Sequence, residues 1–193
     1  MFSTQEIMGL MLMLYNYEPE IVKIIEKFMT THTFKSEEEL QEAVNMWCKD
    51  ETQEEAKKKY GHISYWDVSQ IIDMSYLFRF KTDFNDDISR WDVSNVTKMT
   101  WMFKGAKSFN QPLDKWNVSS VISMICMFER AESFNKDISS WNVSKVEDMM
   151  FMFEEAKSFN QDISSWDVSN VIYKRDMFKE ANSMKEENKP VFK

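Results

Sequence analysis

Residues 91–115 read WDVSNVTKMTWMFKGAKSFNQPLDK, and residues 141–165 read WNVSKVEDMMFMFEEAKSFNQDISS. Both are copies of one 25-residue unit, because tryptophan returns at that interval from one copy to the next. The repeating tryptophans are Trp66, Trp91, Trp116, Trp141 and Trp166. A fixed period of this length indicates an array in which each unit buries its apolar side against its neighbours.

Further positions recur with the same period when each repeat is counted from its tryptophan as position 1. Position 3 is always valine, position 4 is always serine, and phenylalanine and asparagine recur at positions 13 and 20. Side chains that return every 25 residues are expected to contact their own copies in the next repeat, and a stacked asparagine amide can satisfy backbone groups there. Besides the tryptophans, the predicted structural core comprises Phe78, Phe103, Phe128, Phe153, Phe178, Asn85, Asn110, Asn135 and Asn160.

The local pattern predicts a secondary structure for each repeat. Serine at position 4 is a good helix N-cap, and the apolar positions 6, 9, 13 and 16 follow helical spacing. We therefore expect a short helix over positions 5 to 14 and a short strand around position 23, with strands of successive repeats forming a parallel sheet. The predicted fold class is α/β, a short leucine-rich-repeat-like solenoid.

The repeat pattern W-[DN]-V-S-x-V-x-x-M-x-x-M-F-x-x-A-x-S-F-N-x-D-I-S is specific. Over about residues 60–184 it resembles the BspA-like leucine-rich-repeat superfamily, above all the 25-residue-repeat subgroup of mycoplasma lipoproteins and other surface proteins, found also in protists and large DNA viruses. Residues 110–113 (NQPL) and 160–163 (NQDI) are typical of that repeat. The resemblance implies a solenoid, no enzyme activity, and a role in adhesion or protein interaction.

An all-α cap is predicted before the array. Capping-box patterns and a first-turn proline predict helices over residues 3–15, 18–29, 36–47 and 52–60, the last closed by Gly61. The first helix is rich in methionine, and it either packs as core or provides an adaptable interface. The predicted divisions are a cap over 1–60, the array over 61–184 and a tail over 185–193.

Composition excludes several classes of function. The net charge is −8, and no basic stripe exists, so we expect no nucleic-acid partner. The apolar run near the N-terminus is too short to span a bilayer, and no basic residue precedes it as in a signal peptide. We expect an intracellular protein or a component of a viral particle, with Cys48 and Cys126 as free thiols.

No catalytic, cofactor-binding or metal-binding residues are predicted. The chain has only two histidines, His32 and His62, and neither belongs to a cluster with ligand spacing. The aspartates at position 22 suggest a calcium ladder, but Pro112 interrupts it.

A partner-binding surface is predicted on the outer side of the repeats. Position 11 and its neighbours should point away from the core, yet they are apolar in four repeats, and contiguous exposed apolar area marks an interface. Three explanations stay open: these side chains wedge between repeats, the first two helices fold over them, or a partner or second copy covers them. The candidates are Tyr76, Trp101, Ile122, Ile125, Cys126, Met150 and Phe151.

These features together predict a non-enzymatic repeat scaffold for protein interaction or assembly, such as a structural protein of a viral particle or a virus-encoded intracellular protein. The alternative is a surface adhesin that is exported without a classical signal.

Overall fold

The computed structural model describes residues 31–192, in which two α-helices precede the repeat array. The predicted helices over 3–15 and 18–29, including the methionine-rich one, lie outside the described residues. The helices are α1 (Glu37–Trp47) and α2 (Asp50–Tyr60), and single 3-10 turns occupy Ile63–Tyr65 and Glu186–Asn188.

The first helix, α1, begins where the sequence predicts, because Ser36 caps it. The Ser36 hydroxyl accepts a hydrogen bond from the Glu39 amide at 3.2 Å, which satisfies one of the unpaired donors of the first turn. One face of the helix is buried in the same core as the first repeat. The residues of this face are Leu40, Ala43, Val44 and Trp47. The predicted start of this helix and its Ser36 cap are confirmed, but the Glu39 carboxylate accepts from the Lys35 amide and not from the Ser36 amide.

The second helix, α2, begins at Asp50, two residues earlier than predicted. It ends at Gly61, whose φ of 78° lies in the left-handed region that glycine adopts without strain. The Gly61 amide donates to the Lys57 carbonyl, which closes the last turn. The predicted stop is therefore confirmed.

The predicted α/β solenoid, with a strand and a helix in every repeat, is wrong. Among residues 31–192 both α-helices lie before the array, and no strand forms. Successive repeats meet instead through isolated parallel bridges at position 8, not at position 23. These bridges join Asp73 to Lys98, Lys98 to Ser123, Ser123 to Asp148, and Asp148 to Tyr173.

Hydrogen bonds between repeats replace the helix. The amides of positions 9, 11, 13 and 15 donate to the carbonyls of positions 8, 10, 12 and 14 of the next repeat, as Phe78 does to Met102 at 2.8 Å. The intervening amides close turns within the repeat, as Arg79 does to Tyr76. An α-helix would require these amides to bond four residues back in their own chain.

The backbone makes this alternation possible by turning left-handed at positions 11 and 15 of every repeat. The φ values of the non-glycine residues there lie between 53° and 67°. Such values cost L-residues about 1–2 kcal/mol each and break a right-handed helix. The residues are Tyr76, Phe80, Trp101, Gly105, Cys126, Arg130, Phe151, Glu155, Asp176 and Glu180.

Serine at position 4 is not a helix cap. Its amide instead donates to the side-chain oxygen at position 2, as Ser94 does to Asp92 at 3.0 Å. The position 6 amide then donates to the position 3 carbonyl, as Val96 does to Val93. Aspartate and asparagine favour such local turns, which explains why only these residues occupy position 2.

The core consists of columns of like side chains that run through the array. The position 13 phenylalanines form a continuous stack, with ring centroids 5.4–5.6 Å apart and planes within 6° of parallel. Each of the first four also stacks on the position 19 phenylalanine of its own repeat at 4.1–4.2 Å. Two neighbouring tryptophan pairs are stacked as well, Trp66 on Trp91 and Trp141 on Trp166.

Polar groups in two of these columns also link the repeats. From Trp91 on, the indole N–H at position 1 donates to a carbonyl of the preceding coil, as Trp116 does to Ile88 at 3.2 Å. The Asn85 Oδ1 accepts from the backbone amide of Asn110, and the same bond recurs at each later step, ending at Lys185. The stacked units thus share both apolar contacts and hydrogen bonds.

Candidate protein-interaction face

An exposed aromatic cluster lies on the side of the first two repeats. Tyr76 is 44% exposed and Phe80 is 53% exposed, at positions 11 and 15 of the first repeat. The Tyr76 ring meets Trp101 of the next repeat edge-on, with centroids 4.9 Å apart. Arg79 lies between them, and we call Tyr76, Arg79, Phe80 and Trp101 the aromatic face.

Arg79 is held by rings and not by a carboxylate. Its guanidinium carbon lies 4.7 Å from the ring centroids of both Phe80 and Trp101 and 5.6 Å from that of Tyr76. A cation over aromatic faces is attracted by their electron-rich centres. No ion pair joins Arg79 to any carboxylate among the described residues. Within the described part of the chain, the face therefore carries a cation that no carboxylate neutralises.

One polar atom of this face, Arg79 Nε, is buried without a hydrogen-bond partner within residues 31–192. The Trp101 indole N–H reaches no oxygen or nitrogen acceptor there, but it interacts with the Cys126 thiol, whose pKa it acts to lower. A buried donor without a partner costs about 1–3 kcal/mol, and most native structures satisfy such groups.

Phe80 reaches the face because a glycine stands at position 15 of the second repeat. A methyl group added to Gly105 would lie 2.6 Å from Phe80 Cδ1, closer than two carbons can approach. Its φ of 69° also favours glycine. Phe80 therefore lies across the backbone of the next repeat.

The predicted position 11 stripe does not continue unbroken along the array. Cys126 is buried, and burial raises the pKa of its thiol to about 12, with Glu129 acting in the same direction. The Glu129 carboxylate pairs with Lys104 at 2.8 Å. A thiol with this pKa stays protonated and is a poor nucleophile.

The remaining candidates fall into two groups. Tyr76 and Ile122 are exposed, whereas Trp101, Ile125, Met150 and Phe151 are half-buried. The structure brings Tyr76 and Trp101 together, and Arg175 lies over the Phe151 ring at 5.9 Å. The aromatic face at repeats 1 and 2 combines exposed rings with a cation that pairs with no carboxylate within residues 31–192.

Sequence reasoning missed Arg79 and Phe80, although a signal for each was present. Position 14 pairs lysine with glutamate in two later steps, Lys104 with Glu129 and Glu154 with Lys179. Arg79 at the same position meets another cation in the next repeat, so it lacks such a partner. The signal for Phe80 was the bulky residue facing a glycine one period later.

A groove beside the aromatic face connects it to the helical region. It runs between α1 and the first repeat, and the Gln41 side-chain amide crosses it to donate to the Leu77 carbonyl at 3.1 Å. Its walls include Glu38, Leu40 and Tyr76. A bound chain could therefore contact α1 and the aromatic face together.

The two histidines have structural partners. His32 Nε2 lies 2.8 Å from a Glu39 carboxylate oxygen, and this contact lowers the pKa of Glu39. His62 Nδ1 accepts from the Ser64 amide at 3.3 Å. Residues 31–192 contain no cluster of three or more His, Cys, Asp or Glu side chains that could hold a metal ion.

A family model covers most of the array. The family described as "Mycoplasma protein of unknown function, DUF285" matches residues 50–149 and 113–191. The chain belongs to this family. No similar protein was found among the curated proteins or the solved structures. As a DUF285 protein the chain is a mycoplasma-type repeat protein, and its family carries no assigned activity.

The described part of this DUF285 protein also shows no helix that is both long and apolar enough to cross a membrane. The predicted division into residues 1–60, 61–184 and 185–193 stays a prediction.

Proposed function

We propose that this DUF285 protein is a non-enzymatic scaffold that binds a protein partner through the aromatic face. The observation that carries the proposal is the joint presence of exposed Tyr76 and Phe80 rings and an Arg79 without a carboxylate. A few residues carry most of the binding energy of a protein interface, and tryptophan, tyrosine and arginine are enriched among them. The partner surface that fits is apolar with a carboxylate at its centre.

The non-enzymatic part of the proposal rests on where the reactive side chains lie. Both histidines take part in local contacts of the helical region, and the Cys126 thiol is held protonated by burial. The repeated serines and aspartates bond to each other in turns, as Ser139 does to Asp137. None of these arrangements joins a nucleophile to a base.

The proposal also covers the superfamily to which the chain is related and the compartment in which it is found. The tryptophan, phenylalanine and asparagine pattern supports a relationship with the BspA-like superfamily, without the strand and helix of a leucine-rich repeat. An intracellular site, or a place in a viral particle, follows from the sequence expectations, and cell fractionation tests it.

Partner capture with a matched pair of variants tests the binding face. We expect Trp101→Glu to lose the proteins that the wild-type chain captures, because a carboxylate beside the rings is costly to desolvate and occupies Arg79 itself. Tyr173→Glu is the control, since Tyr173 is an exposed ring in the last repeat. Equal capture by all three chains, with folding checked by circular dichroism, would rule out the aromatic face as the binding site.

A further inference from the structure

The first repeat carries a row of backbone carbonyls that all later repeats use to bind their neighbour. At each junction within the array, the carbonyls at positions 8, 10, 12 and 14 accept amides of the preceding repeat, as Lys98 does from Met74 at 2.9 Å. No repeat precedes the first one within residues 31–192. The equivalent carbonyls of the first repeat belong to Asp73, Ser75, Leu77 and Arg79.

Three of these four carbonyls have no hydrogen-bond partner in the described part of the chain. The Leu77 carbonyl accepts from the Gln41 side chain, whereas those of Asp73, Ser75 and Arg79 accept nothing within residues 31–192. A row of unpaired backbone groups at a sheet edge is a template on which another chain can add. We call Asp73, Ser75 and Arg79 the carbonyl edge.

The space beside the carbonyl edge fits one segment of chain and not a further repeat. Helix α1 lies over this end of the array, with Leu40 and Val44 buried in the common core. What remains open is the groove between α1 and the first repeat, whose walls include Leu40 and Tyr76. A whole repeat stacked on this end would collide with α1, whereas a single peptide segment can lie along the groove.

The charges along the groove differ between its two ends. Glu37, Glu38 and Asp73 bring carboxylates to the position 8 end, and Arg79 brings a cation to the position 14 end. The bridges between repeats are all parallel. A segment that adds in the same direction therefore starts beside the carboxylates and finishes beside Arg79, and complementary charges on it would fix this orientation.

We propose that the carbonyl edge binds a linear peptide segment of the protein partner, parallel to the first repeat. The segment carries a basic residue beside Asp73 and an acidic residue about six positions later, which is the separation of Asp73 and Arg79. Its backbone amides donate to the open carbonyls, and its apolar side chains contact Leu40 and Tyr76. The inference rests on the proposed function, because it names the kind of partner that the aromatic face takes.

Selection from a phage-displayed library of random octapeptides on the full chain tests the charge pattern. The selected peptides should share a basic residue followed about six positions later by an acidic one, as the groove charges require. Arg79→Glu should replace the preferred acidic residue by a basic one. Arg175→Glu is the control, since Arg175 is an exposed arginine of the last repeat, and it should select the wild-type pattern. Peptides without a common pattern would overturn the proposal.

Backbone N-methylation of a selected peptide tests the hydrogen bonds and needs no change to the protein. Methylating one amide at a time removes one donor, and calorimetry measures the affinity for the wild-type chain. Affinity should fall about threefold to tenfold at the residues that face the open carbonyls of Asp73, Ser75 and Arg79, and not at the residues between them. Losses that do not alternate along the peptide would show that side chains alone hold it, which contradicts the proposal.

The outcomes separate this inference from the proposed function. If Trp101→Glu loses captured partners but no common peptide pattern is selected, the aromatic face binds a folded surface and the carbonyl edge does not bind a peptide. If the alternating losses appear but Trp101→Glu captures the same proteins as the wild type, the carbonyl edge stands and the aromatic face does not bind the partner. Dimers in light scattering that compete with the selected peptide would assign the edge to a second copy of the chain and overturn the inference.

Discussion

The tryptophan at position 1 has two roles in each repeat after the first, and in the first repeat the Trp66 indole N–H donates to Gly61 at the end of α2. Its ring belongs to the buried core, and its indole N–H donates to a carbonyl of the preceding coil, as Trp141 does to Leu113 at 2.9 Å. That same carbonyl also accepts the backbone amide of Trp116. Phenylalanine could fill part of the space but could not donate, which explains why tryptophan occupies the position in all five repeats.

A pair of identical substitutions isolates the indole hydrogen bond. Trp116→Phe removes the bond to Ile88 and should lower the free energy of unfolding by about 1–2 kcal/mol. Trp101→Phe is the control, because the Trp101 indole N–H donates to no backbone carbonyl among residues 31–192. Urea unfolding of both variants gives the comparison, and equal losses would show that ring volume alone matters.

At the level of the elements, the repeat period could be predicted from the sequence, whereas the path of the backbone within each repeat could not. Equivalent side chains stack on one another, as Phe103 does on Phe128. The residues that form the columns can therefore be recognised in the sequence, because they recur with the repeat period. Helix α1 was readable too, because Ser36 and Glu39 satisfy its first turn locally. Both features depend on short-range or strictly periodic patterns.

The prediction of a helix in each repeat was wrong because the spacing of the apolar residues also fits a different backbone path. Apolar residues at positions 6, 9, 13 and 16 also point inward along a row of consecutive turns, provided that positions 11 and 15 turn left-handed. Glycine would have signalled this, but only Gly105 stands at such a position, and residues such as Trp101 and Arg130 occupy the others. Hydrogen bonds to the next repeat offset that strain, and no local pattern encodes them.

The aromatic face could likewise be predicted only in part, because it depends on contacts between repeats. Tyr76 and Trp101 were found because position 11 is apolar in successive repeats. Arg79 became significant only when its neighbours were known, since its lack of a carboxylate depends on which side chains the next repeat brings beside it. The site was therefore half predictable from the sequence.

Ion pairs between repeats contribute more to stability when their side chains are more deeply buried. The Lys104–Glu129 pair has side chains 18% and 9% exposed, whereas Glu132 bridges the more exposed Lys107 and Lys157. Glu129→Gln should therefore destabilise the fold by more than Glu132→Gln, because it leaves a partly desolvated ammonium unpaired. Thermal unfolding at low and high salt measures the difference, and a larger effect of Glu132→Gln would contradict this order.

At the level of the whole molecule, aspartates in the turns make the free energy of unfolding depend on pH in the acidic range. The Ser89 and Ser139 amides, with the hydroxyls of the same serines, lower the pKa of Asp87 and Asp137 below the ordinary value of 3.8. Lys157 and Lys107 likewise lower the pKa of Glu132. Each of these carboxyl groups has a lower pKa in the folded chain than in the unfolded chain. Its contribution to stability is therefore complete at a pH above its unfolded-state pKa and is lost as the pH falls through its folded-state pKa.

We therefore expect the urea midpoint to stay level near neutral pH and to fall between about pH 5 and about pH 2. Asp137→Asn keeps the turn acceptor but removes one titrating group, so its midpoint should fall less steeply over that window. A midpoint that rises on acidification, or an unchanged slope in Asp137→Asn, would contradict the assignment.

The repeats are joined by backbone hydrogen bonds from one coil to the next, in place of a helix in each coil. Phe153 and Phe178 occupy the same position in adjacent repeats and stack on each other at 5.6 Å. The Phe153 amide donates to the Met177 carbonyl at 2.8 Å, whereas the Phe178 amide finds no acceptor within residues 31–192.

Amide hydrogen exchange followed by NMR on the full chain compares these two groups directly. The stacked arrangement predicts that the Phe153 amide exchanges far more slowly than the Phe178 amide, because only the former is bonded to a following repeat. A helix within each repeat would protect both amides alike, so equal exchange rates at Phe153 and Phe178 would contradict it.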